Sequence, residues 1–321
     1  MKNSLKAKKE SNENRGGALF VAIGIFLSRI FGLLREKIFA HYFGNSLAAD
    51  AFKTALRIPN FIQNLLGEGV LSASFIPVYA QLLSEKKEKE AQDIVSLTAS
   101  FLFLLTSIMV LLGLYFTPLL VDWIAPGFSG ERRQLTEDMV YLFFPAVGVL
   151  VFSAFCLGIL NSHRRFFLPY VAPVVWNLAI IFAMVYFQEG RNQNELILMT
   201  AWGMLIGSFL QFLIQLPLVL KLVKSIRINL KYNNLNFKIV YKNFFPAVVS
   251  RGVIQISSFI DSILASWLVT GSVAVLSYAQ ILYLLPISLF GMSISVSELP
   301  EMSQGQGTSE EKINFIRKRL I

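Results

Sequence analysis

The stretch Met139–Leu160, MVYLFFPAVGVLVFSAFCLGIL, carries no charged residue. A bilayer core is about 30 Å thick and takes about 20 apolar residues of helix, so this stretch alone is long enough to cross. Outward from it the same reading repeats. Seven further segments qualify, near Ala18–Ala40, Ile58–Leu83, Ile94–Leu119, Leu168–Phe187, Leu196–Leu220, Phe244–Val269 and Val273–Val296. The Ile58–Leu83 segment is the least regular, because Glu68 and paired glycines interrupt it. The first is too charged for a cleaved signal peptide, with Arg29 and Arg35 inside its apolar region. Composition agrees: of 321 residues 55% are hydrophobic and 15% charged, against about 25% charged in soluble domains. A cytosolic enzyme, a nucleic-acid-binding domain and a disordered chain are excluded by that balance. The sequence predicts an all-α integral membrane protein with eight crossings.

The net charge of +9 is therefore a matter of position. With the N-terminus in the cytoplasm, 20 of the 29 Lys and Arg fall in the tails and in the loops of that side, and 5 on the other, Lys53 and Arg57 among them. This asymmetry is the positive-inside rule. The segment Lys221–Asn243 has six basic and no acidic residues, which suits anionic lipid headgroups. It separates six spans from two. The expected organisation is a basic tail (1–17), a first six-helix lobe (18–220), a basic cytoplasmic loop (221–243), two helices of a second lobe (244–298) and a tail (299–321).

Cys156 is the lone cysteine and is read as a core residue. His41 and His163 lack partners at metal-ligand spacing. No metal, cofactor or enzymatic constellation is predicted, nor a nucleic-acid partner.

Ionisable residues inside spans are costly and so mark function. Arg29 and Arg35 lie about 120° apart around a helix, with Gly32 between them; Glu36 lies near Arg29. Arg251, Gln255, Ser258 and Ser262 form a polar stripe at helical spacing, beside Asp261. Ser28-Arg29 and Ser250-Arg251 open the two blocks of spans, which hints at a repeat with a ligand at its interface. Gly32, Pro59, Gly67, Gly69, Pro286 and Gly291 loosen helical backbone and are candidate bends for alternating access, and Gly32 also lets a ligand or a neighbouring helix approach closely. Arginine forks suit phosphate-like anions, so a lipid-linked anion is the ligand these residues favour. Alternative readings stay open at three positions. Arg35 is either a cavity group or snorkels to an interface; Asp261 either couples an ion or pairs with an arginine; Glu68 either serves the cavity, is protonated, or caps helix polar groups in a wet cavity.

These residues fall into a recognisable order. Ser28-Arg29-Ile-Phe-Gly32-Leu-Leu-Arg35-Glu36 is followed by Ala49-Asp50-Ala51-Phe52, Arg57-Ile-Pro59-Asn60, Gly67-Glu68-Gly69 and Ser74-Phe75-Ile-Pro77-Val78. Later come Ala125-Pro126-Gly127-Phe128, Gly158-Ile-Leu-Asn161, Gln255-Ile256-Ser257 and Ser277-Tyr278-Ala279. The series resembles the MurJ/MviN lipid II flippases. The resemblance implies the MOP-exporter fold, two six-helix lobes and two further helices. It also implies movement of undecaprenyl-pyrophosphate-linked peptidoglycan precursor to the outer leaflet of the bacterial cytoplasmic membrane. Arg29, Arg35 and Asp50 match positions that the family needs. Together with Arg251, Glu68 and Gln255 they are the candidate substrate-binding set; Asp50 and Asp261 are candidates for ion coupling.

Three departures stand out. Gln63 and Asn64 occupy the place of a common family arginine, and Ala279-Gln280-Ile281-Leu282 stands where many members have Ala-Asp-Arg-Leu. Arg251 is expected to supply the missing second-lobe cation. The family has fourteen spans, so a chain of eight is expected to be a fragment. A flippase for other polyprenyl-pyrophosphate oligosaccharides and a non-transporting homologue are the alternatives.

Overall fold

The computed structural model describes residues 2–224, 226–227 and 234–284, with side chains from 21 onward except those of 253–258. Among the described residues the chain is helical, without strands: α1 Lys2–Phe43, α2 Leu47–Leu66, α3 Glu68–Ser84, α4 Glu88–Tyr115, α5 Thr117–Ile124, α6 Gly130–Ser162, α7 Phe167–Tyr186, α8 Gln193–Val223 and α9 Leu235–Ser266. A tenth helix, α10, runs Ser272–Leu284. One compact unit extends to Ala274; from Val275 a second begins, described only as the continuation of α10 to Leu284. Pro286 and Gly291 lie outside the described residues.

The charge-free stretch that opened the sequence forms most of α6, the centre of the first unit. Phe143, Phe144, Met139, Val147 and Ile159 are fully buried, with α2, α3, α4 and α8 packed around them. The consecutive helices α7 and α8 are zipped by small residues: a side chain at Gly203 would meet Ala183, and one at Gly207 would meet Ala179. Small residues of this spacing let helix backbones approach where lipid offers no hydrophobic drive. The opposite faces are apolar and exposed, as at Phe103, Leu111, Phe182 and Leu213, which is the pattern of a lipid-facing surface. Tyr115, Trp123 and Tyr186 stand exposed where α4, α5 and α7 end, as aromatic belts do.

Among the described residues five elements are long and apolar enough to cross a membrane: Leu47–Ser84, Glu88–Tyr115, Gly130–Ser162, Phe167–Tyr186 and Gln193–Val223. The helix expected over Ile58–Leu83 starts eleven residues earlier, at Leu47, and is broken only at Gly67. Lys53 and Arg57, counted from sequence as loop charges, are therefore helical, and Lys53 is buried. The physical reason is amphipathicity. Asp50, Lys53 and Arg57 recur at three- and four-residue spacing on one face, and that face turns into the protein.

His163 follows α6 and shares a 2.8 Å hydrogen bond with the Tyr79 hydroxyl on α3. Partial burial, then the nearby Arg165, hold its pKa below the usual histidine value. The folded state thus binds this proton less readily than the unfolded chain, so acidification through the range below about 6.5 costs stability. The thermal midpoint is expected to fall between pH 7 and 5, and to fall less in His163→Gln; equal slopes would contradict this.

Candidate functional site

The break at Gly67 positions the site. Its N–H bonds back to the Gln63 carbonyl at 2.7 Å, closing α2, and α3 begins at the next residue. The first turn of α3 opens on a cavity of about 430 Å³. The wall takes Gln63 and Asn64 from α2, Glu68, Gly69 and Ser72 from α3, Ser153 from α6, Gln211 from α8 and Arg251 from α9. Pro169 and Pro173 of α7 and the apolar Leu150 and Leu157 of α6 also line it. Such a concentration of polar groups amid apolar helices is costly unless it serves a ligand or a watery path.

Arg251 is held to the break by the glycine. A Cβ on Gly69 would fall on the Cζ, Nε and Nη2 atoms of the arginine, so only glycine lets the guanidinium lie on the α3 backbone. Glu68 lies near enough to Arg251 for the two charges to interact. Across the cavity Ser153 Oγ accepts hydrogen bonds from Gln211 Nε2 at 3.0 Å and Gln215 Nε2 at 2.6 Å.

A second charged cluster lies where α1, α2 and α7 meet. Glu36 accepts from Arg35 Nη2 at 2.6 Å and from Lys53 Nζ at 2.5 Å. Arg35 also donates to Asn177 Oδ1 at 3.1 Å and stands over the Trp176 ring; Lys53 stands over Phe39. Asn177 in turn donates to the carbonyl of Pro173, a cavity residue. The cluster thus connects to the cavity through one turn of α7. Arg57 of α2 interacts electrostatically with Asp261 of α9.

Asp50 sits elsewhere, fully buried at the start of α2. Its carboxylate accepts from the N–H of Gly271 at 2.7 Å and of Ala274 at 2.8 Å, with Arg132 Nη1 at 3.5 Å. It thus acts as an N-cap supplied from another helix, satisfying first-turn donors of α10. Gly271 has φ +97°, a conformation that suits glycine. Arg132 also donates to the Ser266 carbonyl and lies on the Phe128 ring at 3.5 Å, which places the Ala125–Phe128 motif against the end of α9. Asp50→Ala strips two buried donors and one cation of their acceptor. A cost of about 1–3 kcal/mol is expected, with faster amide exchange at Gly271 and Ala274; unchanged exchange there would refute the cap.

Of the residues nominated from sequence, the cavity gathers Glu68, Gly67, Gly69 and Arg251. Arg35 lies in the adjoining cluster, and Arg29 is exposed on α1. No atom lies within 4 Å of a Cβ placed on Gly32, so the space beside that turn of α1 is open. Pro59 lies inside α2, about one turn before the first cavity residue, Gln63. The Gln255 side chain lies outside the described residues. Ser153, Asn177, Gln211 and Lys53 were not nominated; the first three are neutral polar residues in largely apolar helices, and Lys53 shares its face of α2 with Asp50 and Arg57. His41, His163 and Cys156 join no cluster of three metal-ligating side chains among the described residues.

Comparison with known proteins follows the same outline. Residues 39–320 match the family described as lipid II flippase MurJ. The probable lipid II flippase MurJ of Buchnera aphidicola subsp. Acyrthosiphon pisum is 31% identical over 277 residues, 86% of this chain and 54% of that protein. The lipid II flippase MurJ of Burkholderia cenocepacia is 31% identical over 284 residues, 87% of this chain and 55% of that one. A solved lipid II flippase MurJ in an inward closed conformation aligns with TM-score 0.74 and 29% identity, over 92% of this chain and 61% of that structure. An inward-facing MATE transporter of the MOP superfamily aligns with TM-score 0.63 at 16% identity, over 89% and 64%, a likeness of fold. The chain spans about half the length of the curated relatives it matches. A multi-pass helical membrane protein of MOP-exporter fold, with these motifs in this order, belongs to the MurJ lipid II flippase family.

Proposed function

We propose that this chain is the N-terminal part of a flippase that moves undecaprenyl-pyrophosphate-linked peptidoglycan precursor, lipid II, from the inner to the outer leaflet of the bacterial cytoplasmic membrane. The observation that carries the reading is the cavity at the α2–α3 break, where Arg251 lies against Gly69. A guanidinium fork beside the first turn of a helix is a strong anion receptor, because the fork and the helix dipole act on the same charge. Arg251 takes the role of the absent eighth-helix arginine. Arg35 and the exposed Arg29 extend the cationic path along α1, and the prenyl chain stays in lipid.

Alternating access uses the bends at Pro59, Gly67 and Gly69. Breaking and remaking the Arg57–Asp261 and Asp50–α10 contacts accompanies it. The N-terminus is cytoplasmic, the spans number eight, and the basic segment 221–243 divides the lobes and meets anionic lipid. Asp50 and Asp261 are the candidate ion-coupling groups.

The test is a strain depleted of its own lipid II flippase, carrying the full-length gene. Growth should return, and lipid II should become accessible to a reagent acting only outside the membrane. Expression without either effect overturns the reading; accessibility of a different polyprenyl-pyrophosphate oligosaccharide instead reassigns the substrate.

A further inference from the structure

The two faces of α6 differ. Ser153 and Ala154 look into the polar cavity, whereas Phe152, Phe155 and Cys156 line a separate groove of about 470 Å³ between α4, α6 and α8. That volume lies within the range of about 300–1,000 Å³ that small-molecule sites occupy. Its floor is a row of rings from three helices. Phe103 of α4 lies 6.2 Å from Phe152, and Phe152 lies 6.4 Å from Phe212 of α8. The groove is almost wholly apolar, and its one charged residue is Arg227.

Arg227 is placed there by its backbone. Its N–H donates to Ser96 Oγ on α4 at 3.3 Å, which ties the chain leaving α8 back across the groove. The neighbouring Lys224 reaches Glu88 at 3.4 Å; no carboxylate pairs with Arg227 among the described residues. The side chain is exposed, so a cation stands free at the end of an apolar trough. The trough's outer rim, with Phe103 63% exposed, belongs to the lipid-facing surface.

We propose that this groove binds one anionic phospholipid of the leaflet that meets the basic segment. Its acyl chain lies along Phe103, Phe152, Phe155 and Phe212, and its phosphate lies on Arg227. The charge complementarity decides the occupant. An apolar trough alone takes any acyl chain, but a fixed arginine in a run of six basic and no acidic residues selects a headgroup with net negative charge. A guanidinium also bonds phosphate oxygens in a way that a lysine does not. The site is distinct from the polar cavity and does not depend on what that cavity carries.

The test uses the purified protein in nanodiscs of phosphatidylcholine with a minority of phosphatidylglycerol. Either lipid bears a photoactivatable diazirine on one acyl chain. Phosphatidylglycerol should crosslink to peptides containing Phe103, Phe152 and Phe212 in preference to the exposed faces around Leu111 and Phe182. Arg227→Gln, an exposed substitution that keeps the backbone bond to Ser96, should lower that crosslinking roughly fivefold. It should leave phosphatidylcholine crosslinking unchanged, and Lys224→Gln should change neither by more than about twofold. Equal labelling by the two lipids, labelling spread evenly over the outer faces, or no effect of Arg227→Gln would each overturn the proposal.

Discussion

Arg251→Ala is expected to abolish complementation of a flippase-depleted strain while the protein accumulates to its normal level. The geometry separates the two outcomes. Arg251 is exposed to the cavity, so its loss leaves no buried void, and the fold should survive. What disappears is the one cavity cation that α9 contributes, laid on Gly69 at the α2–α3 break. A hydrogen bond to a charged group is worth about 1.5–3 kcal/mol, and a bidentate fork makes two. Losing both weakens anion capture by two or more orders of magnitude. Arg251→Lys keeps the charge without the fork and should restore only part of the activity. Gly69→Val leaves the arginine in place but drives a side chain into the guanidinium, and should approach the alanine phenotype. Normal growth with well-expressed Arg251→Ala protein would remove Arg251 from the substrate path.

The parts of the fold that were legible in sequence are the uniformly apolar ones. α4, α6, α7 and α8 follow the segments read from hydropathy because most of their surface meets lipid or core and only a few of their residues face the polar cavity. α2 was misplaced for the converse reason. Asp50, Lys53 and Arg57 lower its average hydropathy, and an average cannot tell a charged loop from a helix whose charges turn inward. The same limit shaped the site. Arg251 and Glu68 stood out as charges in apolar runs, and the cavity does bring them together with Gly67 and Gly69. Ser153 and Gln211 are neutral, and nothing in their neighbours distinguishes them from residues that back-bond within a helix. Asp50 was legible as a charge that must matter, but not as a cap. Its acceptors' partners lie 221 and 224 residues away, and only the tertiary structure supplies that pairing.

Glu36→Gln is expected to cost about 3–5 kcal/mol, the penalty of breaking a buried ion pair by removing one partner's charge. Glu36 bridges Arg35 and Lys53, and Lys53 is only 7% exposed. The amide keeps the shape and removes the charge, so two cations then face each other across a neutral group. Removing a cation instead has the opposite logic. Lys53→Met leaves the Arg35–Glu36 pair balanced and puts an apolar side chain against Phe39, so it should cost much less. The double variant Glu36→Gln with Lys53→Met should therefore be more stable than Glu36→Gln alone, a coupling whose sign no simple packing defect reproduces. The protein carries its own reporter: Cys156 is its lone cysteine and is 4% exposed. Its reaction with a thiol-specific dye during heating therefore marks unfolding. Glu36→Gln should react at the lowest temperature of the series, the double variant above it and Lys53→Met nearest the parent. A double variant no more stable than Glu36→Gln would show that the cluster is held by packing, not by charge balance. Arg35 would then be left to the cavity through Asn177 alone.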